Sequence, residues 1–379
     1  MNSVAVVAMD IHKKFSKAVV MDAEAEVLGE RRIPHGDHAV MAAFFSEFEA
    51  STDVVMEATF NWPWISEVAE AMGVRVHLAH AGRAREMAKG MAKSDRKDAI
   101  FLGRLFLAGE IFPEVYRAPV EVRRMRSLFR QRLLLVRMRT AVKNGTHGQL
   151  FRLGLLTDSE VSDLFSPKGR KVLARLDLDA DERWLLEGKL ATLDDLDRQM
   201  GLLERAIKKQ LKQDARAEIL MSLPGVGELT AYGMLAEIGQ LGRFPNGRAL
   251  AAYAGLLPLD RESAEKDFGK RTNRACNRHL RWVMLEAVSG AVRKSPRMRS
   301  LGSRVRAKNP KKPGKARVAV ARELLELAHL LLSRGELYQE KAPGRPGSRV
   351  SGRNQASRPN RASQAALCAR PEHGGQAAM

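Results

Sequence analysis

The sequence has very little cysteine, and this scarcity removes two classes of protein. Cys276 and Cys368 are the only cysteines among 379 residues. Two thiols cannot form the disulfide framework of a small secreted domain, nor the ligand set of a cysteine-ligated zinc site. We therefore expect a protein of the cytoplasm, where thiols stay reduced.

Long apolar runs are missing as well. No run approaches the roughly 20 residues that a membrane-spanning helix requires. The opening stretch, MNSVAVVAMDIHKKF, contains an apolar run but has no basic segment before it and no small-residue cleavage site, so we expect no signal peptide. These two absences argue against a membrane as partner.

Acidic residues are the scarcer charge. The chain has 64 Lys and Arg against 44 Asp and Glu, a formal net charge of +20, and its sequence pI is about 10.3. Such a balance favours a polyanionic partner, and without membrane features nucleic acid is favoured. A hydrophobic content of 45% supplies real cores, and the length predicts two or three domains.

Residues 1–116 have an α/β rhythm. Short apolar runs with β-branched residues predict strands, and longer periodic segments predict helices. The predicted order is a strand at 4–11, two strands within 17–35, a helix at 38–50, a strand at 52–59, a helix through WPWISEVAEAMG, a strand at 75–81 and a long helix at about 84–109. This order is typical of a ribonuclease-H-like α/β domain.

The remainder of the chain is predicted to be mainly helical. Residues 117–216 contain two long stretches of helical apolar spacing, which indicate an extended antiparallel pair that oligomerises, with an ordinary helical bundle as the alternative. Residues 217–338 form a mainly α C-terminal domain. Residues 339–379 are rich in Gly, Pro, Ser and Arg and predict a disordered basic tail.

Four acids are candidates for a metal site. Asp10 and Glu57 each end an apolar strand, and Asp95 and Asp98 share one helix face within AKSDRKDA. A buried carboxylate is unfavourable without a partner, and oxygen ligands suit Mg²⁺ or Mn²⁺. If the two strands are adjacent and parallel, all four acids can meet at one sheet edge. The alternative is that the acids are strand ends and surface ion pairs.

Two further segments could contact nucleic acid. In LPGVGELTA, Gly225 and Gly227 permit a tight turn before a helix N-terminus, which resembles a helix-hairpin-helix; a plain interhelical turn is the alternative. The hydroxyl of Ser263 lies among bases that could hold a phosphate, although on its residues alone it is one serine among many. These bases are Arg261, Lys270, Arg271, Arg274 and Arg278.

Other candidates are weaker on the same grounds. Several histidines have no metal-ligand spacing to nearby carboxylates and are interpreted as structural; they are His12, His77, His80 and His279. The basic stretch 304–322 is interpreted as a contact with a nucleic-acid backbone or as a solvated surface.

These motifs together resemble a known family. MDIHKKFSKAVV, VVMEAT and AKSDRKDAIFLGRL resemble the RuvC-like DEDD domain of the insertion-sequence one-ten transposases and of the related Piv-type DNA invertases. The run from MSLPGVGELTAYG to LLPLDRES, with NRHLRWVMLEAV and KARVAVARELLELAHLLL, resembles the C-terminal transposase domain of that family. The resemblance extends over residues 4–338.

The resemblance implies a function and a set of roles. It makes Asp10, Glu57, Asp95 and Asp98 the acids that bind Mg²⁺ or Mn²⁺, and Ser263 the nucleophile of strand exchange through a phosphoserine. Lys93 and Arg96 become candidate phosphate contacts. It also implies donor and target DNA, a noncoding bridge RNA as guide, a dimer or tetramer in which the acids of one protomer work with the serine of another, and a bacterial cytoplasmic location at the nucleoid.

Two positions differ from the usual family pattern, and three other functions compete. Ala264 follows the serine where the family has glycine, and Ser94 stands where threonine is common but keeps a hydroxyl for a helix cap. The alternatives are a RuvC-type junction-resolving nuclease that activates water, an architectural DNA-binding protein, and an actin-like kinase. The kinase is disfavoured because no glycine-rich phosphate loop follows Asp10.

Overall fold

The chain forms two compact units, Met1–Gln131 and Arg132–Met379, which are described separately. The computed structural model describes residues 3–88, 94–109, 112–155, 161–257 and 276–340, together with the backbone of residues 258–259, 262–263, 266–267 and 271–272. The four-part domain division stays a prediction, and most of its tail, from residue 341 on, lies outside the described residues.

The first unit is built on a five-stranded mixed sheet. Its strands are β1 (Val6–Ile11), β2 (Phe15–Met21), β3 (Val27–Pro34), β4 (Asp53–Glu57) and β5 (Arg75–Ala79). Their order in the sheet is β3-β2-β1-β4-β5. The first three strands are antiparallel neighbours, whereas β1, β4 and β5 run parallel. The strands expected from the apolar runs are therefore confirmed.

Four helices accompany this sheet: α1 (His38–Phe45), α2 (Trp62–Ala71), α3 (Ala81–Met87) and α4 (Asp95–Leu107). The single long helix expected at 84–109 is wrong, because Ser94 has an extended backbone and begins a new helix. Its hydroxyl accepts a hydrogen bond from the Lys97 N–H at 3.2 Å, so the expected cap at Ser94 is confirmed. A capping serine competes with helix continuation, which explains the break.

Alternation along the strands gives the sheet two apolar faces. In β1, Val7, Met9 and Ile11 belong to the core that also contains residues of α1 and α2. Val6 and Ala8 point the other way, into a core that contains residues of α4. Because successive side chains of a strand alternate between faces, a strand buried on both faces must be apolar throughout, as this one is up to its end.

The second unit begins within helix α5 (Val120–Arg152) and continues with α6 (Pro167–Ala174) and α7 (Ala180–Leu211). From Arg132 onwards, α5 runs antiparallel to α7. Arg132 Nε lies 2.8 Å from Glu204 Oε1, and further along α5 Arg139 Nε lies 2.5 Å from Asp197 Oδ1. The predicted antiparallel helical pair is confirmed.

The rest of this unit is mainly helical, as expected. Its helices are α8 (Arg216–Ser222), α9 (Glu228–Ile238), α10 (Gly247–Tyr253), α11 (Arg278–Lys294), α12 (Pro296–Lys308) and α13 (Gly314–Arg334). Between α10 and α11 the backbone forms four two-residue strands, β6 (Pro258–Leu259), β7 (Glu262–Ser263), β8 (Lys266–Asp267) and β9 (Arg271–Thr272). The sequence patterns indicated no strands in this segment.

No helix in the described part of the chain is both long enough and apolar enough to cross a bilayer.

Candidate functional site

Strand alternation directs Asp10 and Glu57 to the same face of the sheet. Asp10 continues the series of Val6 and Ala8, whose side chains face α4. In β4, Glu57 likewise follows Val55, which lies in that same core. Period-two geometry therefore puts both carboxylates on the α4 side.

The register of the two strands brings these acids level with each other. Strands β1 and β4 are parallel neighbours, and Met9 pairs with Met56 at the last position of the ladder. Asp10 and Glu57 each come one residue later. Both side chains are partly buried at the carboxyl ends of adjacent parallel strands. The expected meeting of these two acids at one sheet edge is confirmed.

Helix α4 adds two more carboxylates from its first turn, Asp95 and Asp98. The helix lies very close to the sheet because it has a glycine at position 103. A Cβ built on Gly103 would lie 2.9 Å from the sulfur of Met21 and 3.1 Å from the Cβ of Ala8. A larger residue would push α4 away from β1 and β2, so this glycine helps determine how closely the α4 acids approach the sheet.

The structure also brings a histidine to these acids. His12 Nε2 lies 3.1 Å from Asp10 Oδ2 and 3.2 Å from Asp95 Oδ2. This nitrogen is buried, and among the described residues it meets no partner in hydrogen-bond geometry. The His12 ring packs on Phe15 at 4.5 Å between centroids. The interpretation of His12 as unrelated to carboxylates is wrong. The available signal was its spacing of two from Asp10 at a strand end.

The four acids share one electrostatic environment. Burial raises the pKa of Asp10; His12 opposes this shift, and Asp95 and Asp98 reinforce it. Burial also raises the pKa of Glu57, and Asp10 and Asp98 add to it, whereas Arg85 acts in the opposite direction. Asp10 and Glu57 are therefore harder to ionise, because of burial and because of the acids beside them.

This donor set fits a divalent cation. One atom each from Asp10, His12 and Asp95 lie within 4.8 Å of one another. Clustered carboxylates with raised pKa values are stabilised in their charged form by a cation, and oxygen-rich sites suit Mg²⁺ or Mn²⁺. An imidazole nitrogen is in general a better ligand for Mn²⁺ than for Mg²⁺.

Of the two candidate phosphate contacts in AKSDRKDA, the structure describes Arg96 but not Lys93. Arg96 pairs with Glu30 on β3, so it has the surface ion pair that the alternative interpretation expected. Glu30 is also 2.8 Å from Lys17 Nζ. Lys93 lies outside the described residues. A base that was not identified from the sequence, Arg85 at the end of α3, is close enough to Glu57 to oppose the rise in its pKa.

Ser263 lies in a short backbone hairpin of the second unit. It pairs with Lys266 across β7 and β8, and Glu262 pairs with Asp267. An outer pair, β6 with β9, matches Leu259 with Arg271. Of the bases expected around the serine, Arg278 begins α11, and Arg271 is described by its backbone alone. Three lie outside the described residues: Arg261, Lys270 and Arg274.

The glycine-rich turn between α8 and α9 has two different glycines. Gly225 has φ of +81°, and a Cβ there would overlap the α11 backbone at Ala287 and Ala291. Close packing against α11, rather than contact with a ligand, therefore explains Gly225. Gly227 is exposed and precedes α9 with open space where a Cβ would be. A role for Gly227 in nucleic-acid binding stays a prediction.

Comparisons with known proteins agree with this organisation. Residues 7–153 match the model of the DEDD transposases of the IS110 type. Residues 217–303 match the model described as "Transposase IS116/IS110/IS902 family". The first match contains the sheet and its acids, and the second contains the glycine turn and Ser263. Together the two matches cover more than half of the chain.

Individual relatives support the same assignment. The "Insertion element IS110 uncharacterized 43.6 kDa protein" of Streptomyces coelicolor is 30% identical over 145 residues, which are 38% of this chain and 36% of that protein. The "Transposase for insertion sequence element IS1111A" of Coxiella burnetii is 25% identical over 295 residues, which are 77% of this chain and 79% of that protein. The chain belongs to the IS110 family of insertion-sequence transposases, enzymes that cut and join DNA.

Proposed function

We propose that this transposase uses a divalent cation at Asp10, Glu57, Asp95 and Asp98, and Ser263 as its nucleophile. The observation that carries the metal site is geometric: one atom each from Asp10, His12 and Asp95 lie within 4.8 Å of one another, and Glu57 stands level with Asp10 on the neighbouring strand. Neighbouring acids add to the rise in the pKa of Asp10 and of Glu57, and a bound cation would stabilise the ionised forms of both.

The chain holds these acids rigidly before any cation arrives. Asp10 and Glu57 stand on neighbouring strands of a buried sheet. Asp95 and Asp98 belong to a helix whose start is capped by Ser94. Bound there, Mg²⁺ or Mn²⁺ would neutralise the carboxylates and polarise a phosphodiester. The preformed acids bind the cation and orient it, and His12 is within reach as a further ligand.

The serine step follows from the resemblance and is supported by the hairpin backbone around Ser263. In that step the serine oxygen bonds to phosphorus, one P–O bond to deoxyribose breaks, and the released sugar oxygen takes a proton as the serine gives one up. A second DNA hydroxyl then attacks the phosphoserine and restores the serine. Neighbouring bases hold the phosphate charge during both steps.

The wider assembly is part of the same proposal. The net charge of +20 supports contacts to several nucleic-acid strands, donor DNA, target DNA and a bridge RNA. The strand order β3-β2-β1-β4-β5 supports a ribonuclease-H-like, RuvC-like domain. The exposed Gly227 before α9 supports a helix-hairpin-helix grip on DNA. The long α5–α7 pair supports oligomerisation as a dimer or tetramer, in the bacterial cytoplasm near the nucleoid.

One experiment separates the two halves of this proposal. Purified protein with end-labelled element DNA, its flanking RNA and Mn²⁺ should form a covalent protein–DNA adduct. Ser263→Ala should abolish that adduct while DNA binding is retained. Asp10→Asn should abolish cleavage altogether. Ser300→Ala, at an exposed serine of α12, should change neither and is the matched control.

A second function would follow from a different result. The four acids by themselves would suit a junction-resolving nuclease that activates water, because such an enzyme needs no serine. Full strand cleavage by Ser263→Ala, together with its loss in Asp10→Asn, would favour that nuclease. Activity that survives in both variants would contradict the metal site as well.

A further inference from the structure

We propose that the buried pair Glu237–Asn277 positions the segment that carries Ser263. Neither residue belongs to the acid cluster, and neither was identified from the sequence. The inference about catalysis rests on the proposed serine chemistry, whereas the structural role of the pair does not.

Asn277 joins the two ends of the serine segment. It is the cap residue of α11, and its backbone N–H donates to the carbonyl of Tyr253, the last residue of α10, at 2.8 Å. The guanidinium of Arg281, one turn into α11, donates to the carbonyl of Gly255. The segment between residues 254 and 276 therefore begins and ends at two adjacent hydrogen bonds.

The Asn277 side chain uses all of its donors and its carbonyl oxygen. Its Nδ2 donates to Glu237 Oε2 at 2.8 Å and to the Tyr253 hydroxyl at 3.0 Å, and its Oδ1 accepts from the Leu280 N–H at 2.9 Å. Only this orientation of the amide presents donors to a carboxylate. The amide is therefore locked between three helices, α9, α10 and α11.

Glu237 is the unusual member of the pair because its side chain is fully buried within α9. A buried carboxylate is strongly unfavourable unless it is hydrogen-bonded, so an apolar residue would serve this position better if packing were its only purpose. Capping of α11 alone does not require an asparagine at position 277 either, since aspartate and serine cap helices as well as asparagine does. The hydrogen bond from Asn277 is one of the interactions that offset the cost of burying this carboxylate.

Further contacts hold together the helices that surround the Asn277 amide. Gly225 and Gly290 bring the turn before α9 into direct backbone contact with α11. The guanidinium of Arg243 lies 4.4 Å from the ring centroid of Tyr253. Nucleophilic attack depends on placing the attacking oxygen to within a fraction of an ångström. We therefore infer that anchoring both ends of the segment to these packed helices helps to place the Ser263 hydroxyl.

The chemistry of the pair allows a reversal experiment. Asn277→Asp keeps the cap on α11 but replaces the donors by an oxygen that faces the Glu237 carboxylate, so that two negative groups repel. Adding Glu237→Gln restores a hydrogen bond with its direction reversed, because the introduced amide can donate to the introduced carboxylate. Volume is conserved in both substitutions.

Two measurements on the full-length protein read out the pair. Hydrogen exchange of residues 254–276 should become faster in Asn277→Asp, and the covalent adduct with element DNA should fall roughly tenfold to a hundredfold. The double variant Glu237→Gln/Asn277→Asp should recover both. Asn246→Asp is the matched control, because Asn246 also caps a helix, accepting from the Ala249 N–H of α10 at 2.9 Å, but is exposed.

The outcomes are distinguishable. Wild-type exchange and adduct yield in Asn277→Asp would overturn the inference, as would failure of the double variant to recover either. If the exchange pattern appears as expected but even the unsubstituted protein forms no adduct, the serine chemistry fails and the positioning pair stands. If Ser263→Ala abolishes an adduct that Asn277→Asp leaves unchanged, the serine chemistry stands and the positioning role of the pair fails.

Discussion

His12 and Asp95 meet although one follows the first strand and the other begins the fourth helix: Nε2 and Oδ2 are 3.2 Å apart. The contact ties the start of α4 to the end of β1. It also brings a nitrogen to the proposed metal site, which the motif alone describes as four carboxylates.

Removing that nitrogen should change which metal is preferred. His12→Ala is expected to weaken Mn²⁺ binding roughly tenfold and Mg²⁺ binding less, because imidazole is a better ligand for Mn²⁺. Electron paramagnetic resonance of bound Mn²⁺ should show coupling to a ¹⁴N nucleus that disappears in the variant. His38→Ala, at the exposed histidine that begins α1, should preserve both signals. A wild-type spectrum without nitrogen coupling would contradict the role of His12.

The acid cluster should destabilise the protein when no metal is present. Burial, together with Asp95 and Asp98, raises the pKa of Asp10, so the native state binds more protons than the unfolded chain above the ordinary value of 3.8. Stability from this group is therefore present at low pH and is lost as pH rises through the folded pKa. At pH 7 in EDTA, Asp10→Asn should melt higher by about 2 to 4 °C.

Asp53 provides the control of opposite sign. Burial alone would raise the pKa of Asp53, but Arg75 and His77 hold it below its ordinary value. Asp53→Asn should therefore lower the melting temperature at pH 7, and this loss should vanish below the unfolded pKa.

Added Mn²⁺ should stabilise the unsubstituted protein but not Asp10→Asn. A lower melting temperature for metal-free Asp10→Asn would contradict the repulsion.

The two glycines of the α8–α9 turn should respond differently to substitution. Gly225→Ala places a methyl group against the α11 backbone at a positive φ, and we expect a loss of about 3 kcal/mol in the free energy of unfolding. Gly227→Ala meets open space at an extended cap position and should change stability by less than about 1 kcal/mol. Urea denaturation measures both. Equal effects of the two substitutions would show that α11 does not explain Gly225.

The bases beside the acids should contribute unequally to DNA binding. Lys93→Ala is expected to weaken binding and to reduce the slope of log affinity against log salt by about one, if Lys93 neutralises a phosphate. Arg96→Ala should reduce the slope less, because Arg96 already pairs with Glu30. Binding of a labelled duplex at several salt concentrations gives the slopes. An unchanged slope for Lys93→Ala would remove it from the interface.

Much of the first unit could be predicted because local patterns determine it. The strand at Asp10 and the strand at Glu57 are recognisable as apolar runs that end in an acid, and both acids are brought together as expected. The start of a new helix at Ser94 was not predicted because helix-forming residues stand on both sides of it. The spacing of apolar residues does not indicate whether a serine adopts a capping conformation. In the second unit, the strand pairing around Ser263 had no apolar alternation to indicate it.

By itself the sequence determined the family and its DNA partner, and it predicted roles for the four acids and Ser263, because motifs and net charge are properties of the chain. Only the tertiary structure decided that His12 joins the acids, that Gly225 serves contact with α11, and that Glu237 holds Asn277. Each of these depends on a close approach between elements distant in sequence. Periodicity reports which face a residue occupies, but not which residue it will meet there.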